Sequence, residues 1–131
     1  LNTLSLNDES NVYSSDIKEI KNNLIGVDIG PKTIKIFSDI ISASKTILWN
    51  GPMGVFEKAA FSKGTSEITN SVSSATKNGA FSLVGGGDSV AAIKLFSKES
   101  SVSYISTGGG ATLEYIENFS LPGIDAVMKS F

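Results

Sequence analysis

Four times along this chain a short apolar run breaks at glycine or a polar residue and gives way to residues spaced for a helix. Residues 24–27, 46–49, 80–84 and 102–105 are the runs, each short enough for a buried strand. Apolar residues then recur at helical spacing: Ile34, Phe37, Ile40 and Ile41 within 31–43, Ile68, Val72 and Ala75 within 65–77, and Val90, Ile93 and Leu95 within 88–96. A further helix is expected over 111–118, with a short one reaching about residue 129. Pro31 suits a first helical turn, where its missing N–H is not needed. Asn78-Gly79 stops the second helix. Such alternation predicts an α/β fold, a parallel sheet with helices on both faces in a Rossmann-like three-layer half-domain. Residues 1–23, polar and rich in Asn, Ser, Asp and Lys, read as an irregular lead-in with a turn of helix near 15–20. Residues 24–131 carry the domain.

The 131 residues suit one domain, and a 40% hydrophobic content supplies its core. Neither Cys nor His occurs. That removes disulfides, thiolate nucleophiles, Ser-His-Asp triads and metals held by imidazole or thiolate. All 11 basic residues are Lys, and the net charge is −2. This balance argues against nucleic acid or an anionic membrane as partner. Any phosphate chemistry must rest on backbone amides, Lys and a metal ion rather than on guanidinium groups. No run approaches ~18 apolar residues, so no membrane-spanning helix is expected. The chain opens without Met and without the basic and apolar parts of a signal peptide, and is expected to be a piece of something longer.

In open parallel sheets, ligands bind beyond the carboxyl ends of the strands. Four such ends carry unusual residues here: GVDIG at 26–30, NGPMG at 50–54, GGGDS at 85–89 and STGGG at 106–110. All four are expected along one rim. Glycines at 85–87 let a ligand approach the backbone, and the helix that follows offers its amides and positive dipole end to an anion. Asp88 sits where it can cap that helix or hold a divalent cation on a phosphate. A tight, capped strand-to-helix turn is the plain alternative. The dinucleotide pattern G-x-G-x-x-G fails at Val90, and no Gly-Lys-Ser/Thr of a P-loop occurs. Gly108, Gly109 and Gly110 repeat the same physics without the acid, a bare amide cradle suited to charge on a transferring phosphoryl group. In WNGPMGVFE at 49–57, Asn50 can offer an amide to an anion, Pro52 and Val55 can wall a planar ring, and Glu57 can accept from ribose hydroxyls. Trp49 reads as core.

LIGVDIGPKT at 24–33, WNGPMGVFE at 49–57, VGGGDS at 84–89, ISTGGGA at 105–111 and LPGI at 121–124 resemble, in order and spacing, the C-terminal part of phosphoglycerate kinases. The resemblance covers most of the chain. It implies phosphoryl transfer between 1,3-bisphosphoglycerate and MgADP, giving 3-phosphoglycerate and MgATP, with no covalent enzyme intermediate. Carried over by motif, Gly26 and Val27 would line the adenine pocket, and Pro52 and Val55 would wall the nucleotide. Asn50 would contact its phosphates and Glu57 its ribose. Gly86, Gly87, Asp88 and Ser89 would bind phosphates and magnesium, with Asp88 on the metal. Gly108, Gly109 and Gly110 would face the transferring group, and Ser106 and Thr107 would lie in the hinge region.

The resemblance further implies a monomeric, cytoplasmic enzyme, a plastid copy being equally compatible. Its phosphoglycerate site would lie in an N-terminal domain outside this sequence, which fits the absence of Arg and His here. The chain alone is therefore expected to be inactive. A different class stays open: a non-catalytic nucleotide-binding or structural half-domain that another chain completes. A NAD-binding half-domain is a poorer reading, since its fingerprint fails.

Overall fold

In a computed structural model of the chain, residues 1–16, 20–96 and 98–129 are described. Two short strands, β1 (Asn2–Thr3) and β2 (Ile25–Gly26), pair antiparallel. After α1 (Pro31–Ala43) come three strands, β3 (Thr46–Asn50), β4 (Phe81–Gly85) and β5 (Tyr104–Ile105), parallel and in sequence order. Helix α2 (Lys63–Lys77) joins β3 to β4, and α3 (Gly87–Leu95) joins β4 to β5. Helices α4 (Gly110–Asn118) and α5 (Pro122–Met128) follow. The α/β architecture with a parallel sheet is as the alternation implied.

Alternation along each strand sorts side chains onto two faces. Ile47, Trp49 and Val84 point to one face and pack with Ile68, Val72 and Ala75 of α2 and with Ile93 of α3. The other face carries Leu48, Leu83 and Tyr104 in register, beside Phe81. Helix α4 stands over its β5 end, where Tyr115 and Ile116 share a cleft with Leu83 and Tyr104. Towards β3 this face is bare: Leu48 is 45% and Phe81 51% exposed. Helix α1 buries none of its residues fully. Ile41 packs on the core, while Phe37 and Ile40 stay exposed beside β3.

One expectation needs correction. Residues 24–27 do not join the parallel sheet. The neighbouring N-terminal strand satisfies their backbone locally, with the Val27 N–H donating to the Leu1 carbonyl at 3.0 Å. Ile25 is exposed, and only Val27 of the run is buried along with the following Asp28. The rim is therefore built by three parallel strand ends. Within the lead-in, Asn2 and Thr3 are fully buried. The helical turn expected near 15–20 falls largely on residues 17–19, outside the described residues.

The core's distribution sets a stability contrast. Ile93→Ala, at a fully buried position, is expected to cost about 2–5 kcal/mol. Ile40→Ala on α1 should stay within roughly 0.5 kcal/mol. Urea denaturation of both variants checks this; equal losses would mean that α1 is packed as tightly as α3.

Candidate functional site

The five-residue parallel pairing of β3 with β4 sets Asn50 opposite Gly85. The Asn50 side chain lies over the turn that follows. A Cβ built on Gly86 would sit 3.0 Å from Asn50 Oδ1, and Gly86 has φ +86°, a conformation that favours glycine. Gly86 is the N-cap of α3, and no side chain caps that helix. The first amides of α3 consequently have neither an intrahelical acceptor nor a side-chain one. Asp88 is exposed in this first turn and does not cap. Its carboxylate faces solvent beside those amides.

One strand further, the Ser106 N–H donates to the Val84 carbonyl at 2.7 Å and extends the β4–β5 pairing. The Ser106 hydroxyl bonds Thr112 Oγ1 at 2.5 Å and accepts from the Gly108 N–H at 3.2 Å. Gly109, at φ +50°, is the N-cap of α4, again with no side-chain cap. The three glycines thus differ in role: the Gly108 amide is engaged by Ser106, and those of Gly109 and Gly110 begin an uncapped helix.

The loop from Gly51 to Glu57 is braced from several sides. Trp49 is buried, and its indole N–H donates to the Gly51 carbonyl at 2.7 Å. The Gly51 N–H donates to Ser89 Oγ at 2.6 Å. Thr65 Oγ1 accepts from the amides of Met53 at 3.1 Å and Gly54 at 3.3 Å. The Val55 N–H reaches the Val27 carbonyl at 2.9 Å. Pro52 and Val55 are half-buried, and Glu57 is exposed.

Beneath this loop lies Asp28, which is buried. One carboxylate oxygen accepts from the Ile29 N–H at 2.8 Å and the other from the Gly64 N–H at 2.7 Å, at the start of α2. A Cβ on Gly54 or on Gly64 would overlap Asp28 Oδ1, so both glycines make room for the acid. Burial pushes the Asp28 carboxyl above the usual carboxylate range, and the hydrogen bonds from Gly64 and Ile29 oppose that rise only in part.

Asn50, Gly86, Gly87 and Asp88 come together around the β3–β4 end. Ser89 is adjacent but fully buried, with its hydroxyl turned to Gly51, so it braces the loop instead of presenting a side chain at the rim. Val27 is 2% exposed and Gly26 pairs with Asn2, so the Val27 side chain offers no open wall to a ring. Sequence reasoning missed Asp28 and Thr65. The signal available was Gly64, a glycine just ahead of the expected helix and at the start of the observed one.

A family model described as phosphoglycerate kinase matches residues 2–118. The chain belongs to the phosphoglycerate kinase family. It is 46% identical over 122 residues to the phosphoglycerate kinase of Chloroherpeton thalassium, covering 93% of this chain and 31% of that protein. With that of Thermosipho africanus it shares 50% identity over 113 residues, 86% of this chain and 28% of that one. The structure of phosphoglycerate kinase from Coxiella burnetii superposes with a TM-score of 0.76 at 40% identity, over 88% of this chain and 29% of that chain. The enzyme from Pyrococcus horikoshii gives 0.68 at 36%, over 80% and 25%. This member of the phosphoglycerate kinase family thus spans less than a third of the length of these relatives.

Two outcomes follow from Asp28. Helix propensity alone would have Gly64→Ala stabilise, yet overlap with Asp28 should make it destabilising by about 1–3 kcal/mol in urea denaturation; a gain in stability would mean that the carboxylate does not occupy that space. The second is a pH dependence. A carboxyl whose pKa is raised on folding holds its proton longer in the folded state, so its contribution is fully present below the unfolded pKa and is lost as pH rises through the folded one. The parent should therefore lose stability relative to Asp28→Asn as pH rises from about 4 through the acidic range. A constant difference would contradict the raised pKa.

Proposed function

We propose that this chain forms the nucleotide-holding part of a phosphoglycerate kinase, which moves a phosphoryl group between 1,3-bisphosphoglycerate and MgADP to give 3-phosphoglycerate and MgATP. One observation carries the reading: Asn50, the uncapped start of α3 and the exposed Asp88 converge at one strand end, inside the segment that matches the family. Free amides at a helix start hold phosphate oxygens, and the dipole there favours their charge. The Asn50 amide can donate to the same phosphates. Pro52 and Val55 provide apolar surface for the base, and Glu57 provides an exposed acceptor for ribose hydroxyls. The uncapped start of α4, at Gly109 and Gly110, would donate to oxygens of the group in flight.

No cluster of three or more acidic residues that could cage a metal occurs among the described residues. A single exposed carboxylate nonetheless fits magnesium, which commonly takes one or two carboxylates and fills its remaining positions with phosphate oxygens and water. Asp88 would hold it. Magnesium, when bound, supplies neutralisation of the phosphate charge. What remains for the chain is positioning and electrostatics, with no covalent intermediate. The phosphoglycerate would bind on a part of the enzyme outside these residues, so the chain alone would not turn over. The cytoplasm is the compartment proposed, with ADP or ATP as the small-molecule partner and no nucleic acid or membrane.

Completion by further sequence has its own support. A parallel sheet is normally covered on both faces, and here Leu48, Phe81 and Tyr104 lie open. This favours a working unit larger than the 131 residues.

Calorimetric titration with ADP, with and without magnesium, tests the reading. Saturable binding that strengthens with magnesium is expected, and Asp88→Ala should erase the magnesium effect while leaving weak metal-free binding. Equal affinity with and without magnesium in the parent would contradict the role of Asp88. Robust phosphoryl transfer by the chain alone would contradict its proposed incompleteness.

A further inference from the structure

We propose that Asp28 is the positioning residue of the loop between Gly51 and Glu57. The proposal rests on the nucleotide reading above only for what that loop holds. Asp28 sits too deep to meet a ligand at the rim, and its side chain bonds backbone alone: the Ile29 and Gly64 amides. Gly64 opens α2, where a carboxylate also meets the positive end of the helix dipole. The next residue, Thr65, accepts from Met53 and Gly54. The preceding residue, Val27, accepts from Val55. The loop is thus gripped at three successive amides by groups that Asp28 fixes on either side. Gly54 brings the loop backbone directly against the carboxylate, in space that a Cβ would fill.

This grip is polar and adjoins the main core, against which Ile29 and Met53 pack. A buried acid is a costly way to join apolar layers, since it must be desolvated. It is a good way to fix backbone amides, because both oxygens accept and neither donates. Asp28→Asn keeps the shape but turns an N–H₂ towards one of the two amides.

The test compares the parent, Asp28→Asn and Ala75→Gly, a core change near the C-terminal end of α2. Amide hydrogen exchange and MgADP affinity are read in all three. Asp28→Asn should speed exchange at Met53, Gly54, Val55 and Gly64 by at least about tenfold beyond the change at Val84 and Ile93. It should also weaken MgADP by about tenfold or more. Ala75→Gly should raise exchange across the fold and leave the affinity of the folded chain unchanged. If Asp28→Asn gives the same even pattern as Ala75→Gly, or leaves the loop amides as slow as in the parent, the proposal is overturned. Should Asp28→Asn fail to fold, Thr65→Val cuts the next link alone. It must then loosen Met53 and Gly54 selectively, and unchanged exchange there overturns the proposal. A parent chain with no affinity for ADP would overturn the nucleotide reading, while the exchange comparison would still decide, in either direction, whether Asp28 holds the loop.

Discussion

The parallel pairing of β3 with β4 is the constraint on which the rest of this molecule depends. Its register runs without a slip from Thr46 opposite Phe81 to Asn50 opposite Gly85. A slip of β3 by one residue would send Ile47 and Trp49 out of the core and turn Leu48 into it. Burial of Trp49 and Val84 against α2 and α3 therefore holds the register, and the register places Asn50 over Gly86. Packing energy in the core is in this way converted into a polar arrangement at the rim. The same logic carries the pairing on to β5, where Ser106 follows Val84 and begins the turn into α4.

Around this frame the loops are held by single polar atoms. Ser89 Oγ takes the Gly51 amide, Thr65 Oγ1 takes Met53 and Gly54, and the Asp28 carboxylate takes Gly64 and Ile29. Each is buried, so each bond is made away from competing water and each would be costly to leave unmade. The opposite sheet face is a different case. Leu48 and Phe81 have little over them, and α1 keeps Phe37 and Ile40 exposed. The side that presents amides is finished, while the side that would bury apolar surface is open. That contrast agrees with a family whose curated relatives are about three times as long.

Much of this was legible in the sequence. Helical spacing placed α1 over its observed residues, and the glycine clusters marked both strand-to-helix turns because glycine most readily adopts the positive φ found at Gly86 and Gly109. Periodicity could not tell which strand residues 24–27 would choose. A four-residue apolar run says nothing about its partner, and the partner turned out to be two residues from the polar start of the chain. The strand-to-helix turns were legible because they are made of backbone. The inward turn of a hydroxyl or an acid was not. Ser89 looks like a phosphate ligand from its neighbours in sequence, yet the helix geometry of α3 points it at Gly51. Asp28 reads as the end of a strand, and its contacts with Gly54 and Gly64 are 26 and 36 residues away, beyond any local pattern.

The central claim is that the rim around Asn50 and Asp88 is arranged to receive a metal-bound nucleoside diphosphate. Amide NMR of the chain with ADP and manganese in place of magnesium tests it most directly, because a paramagnetic ion broadens the signals nearest to it. The account predicts that Gly86, Gly87, Asp88 and Asn50 broaden first, while the amides of α5 stay sharp. Broadening spread evenly over the exposed acids, or centred away from the β3–β4 end, would contradict it.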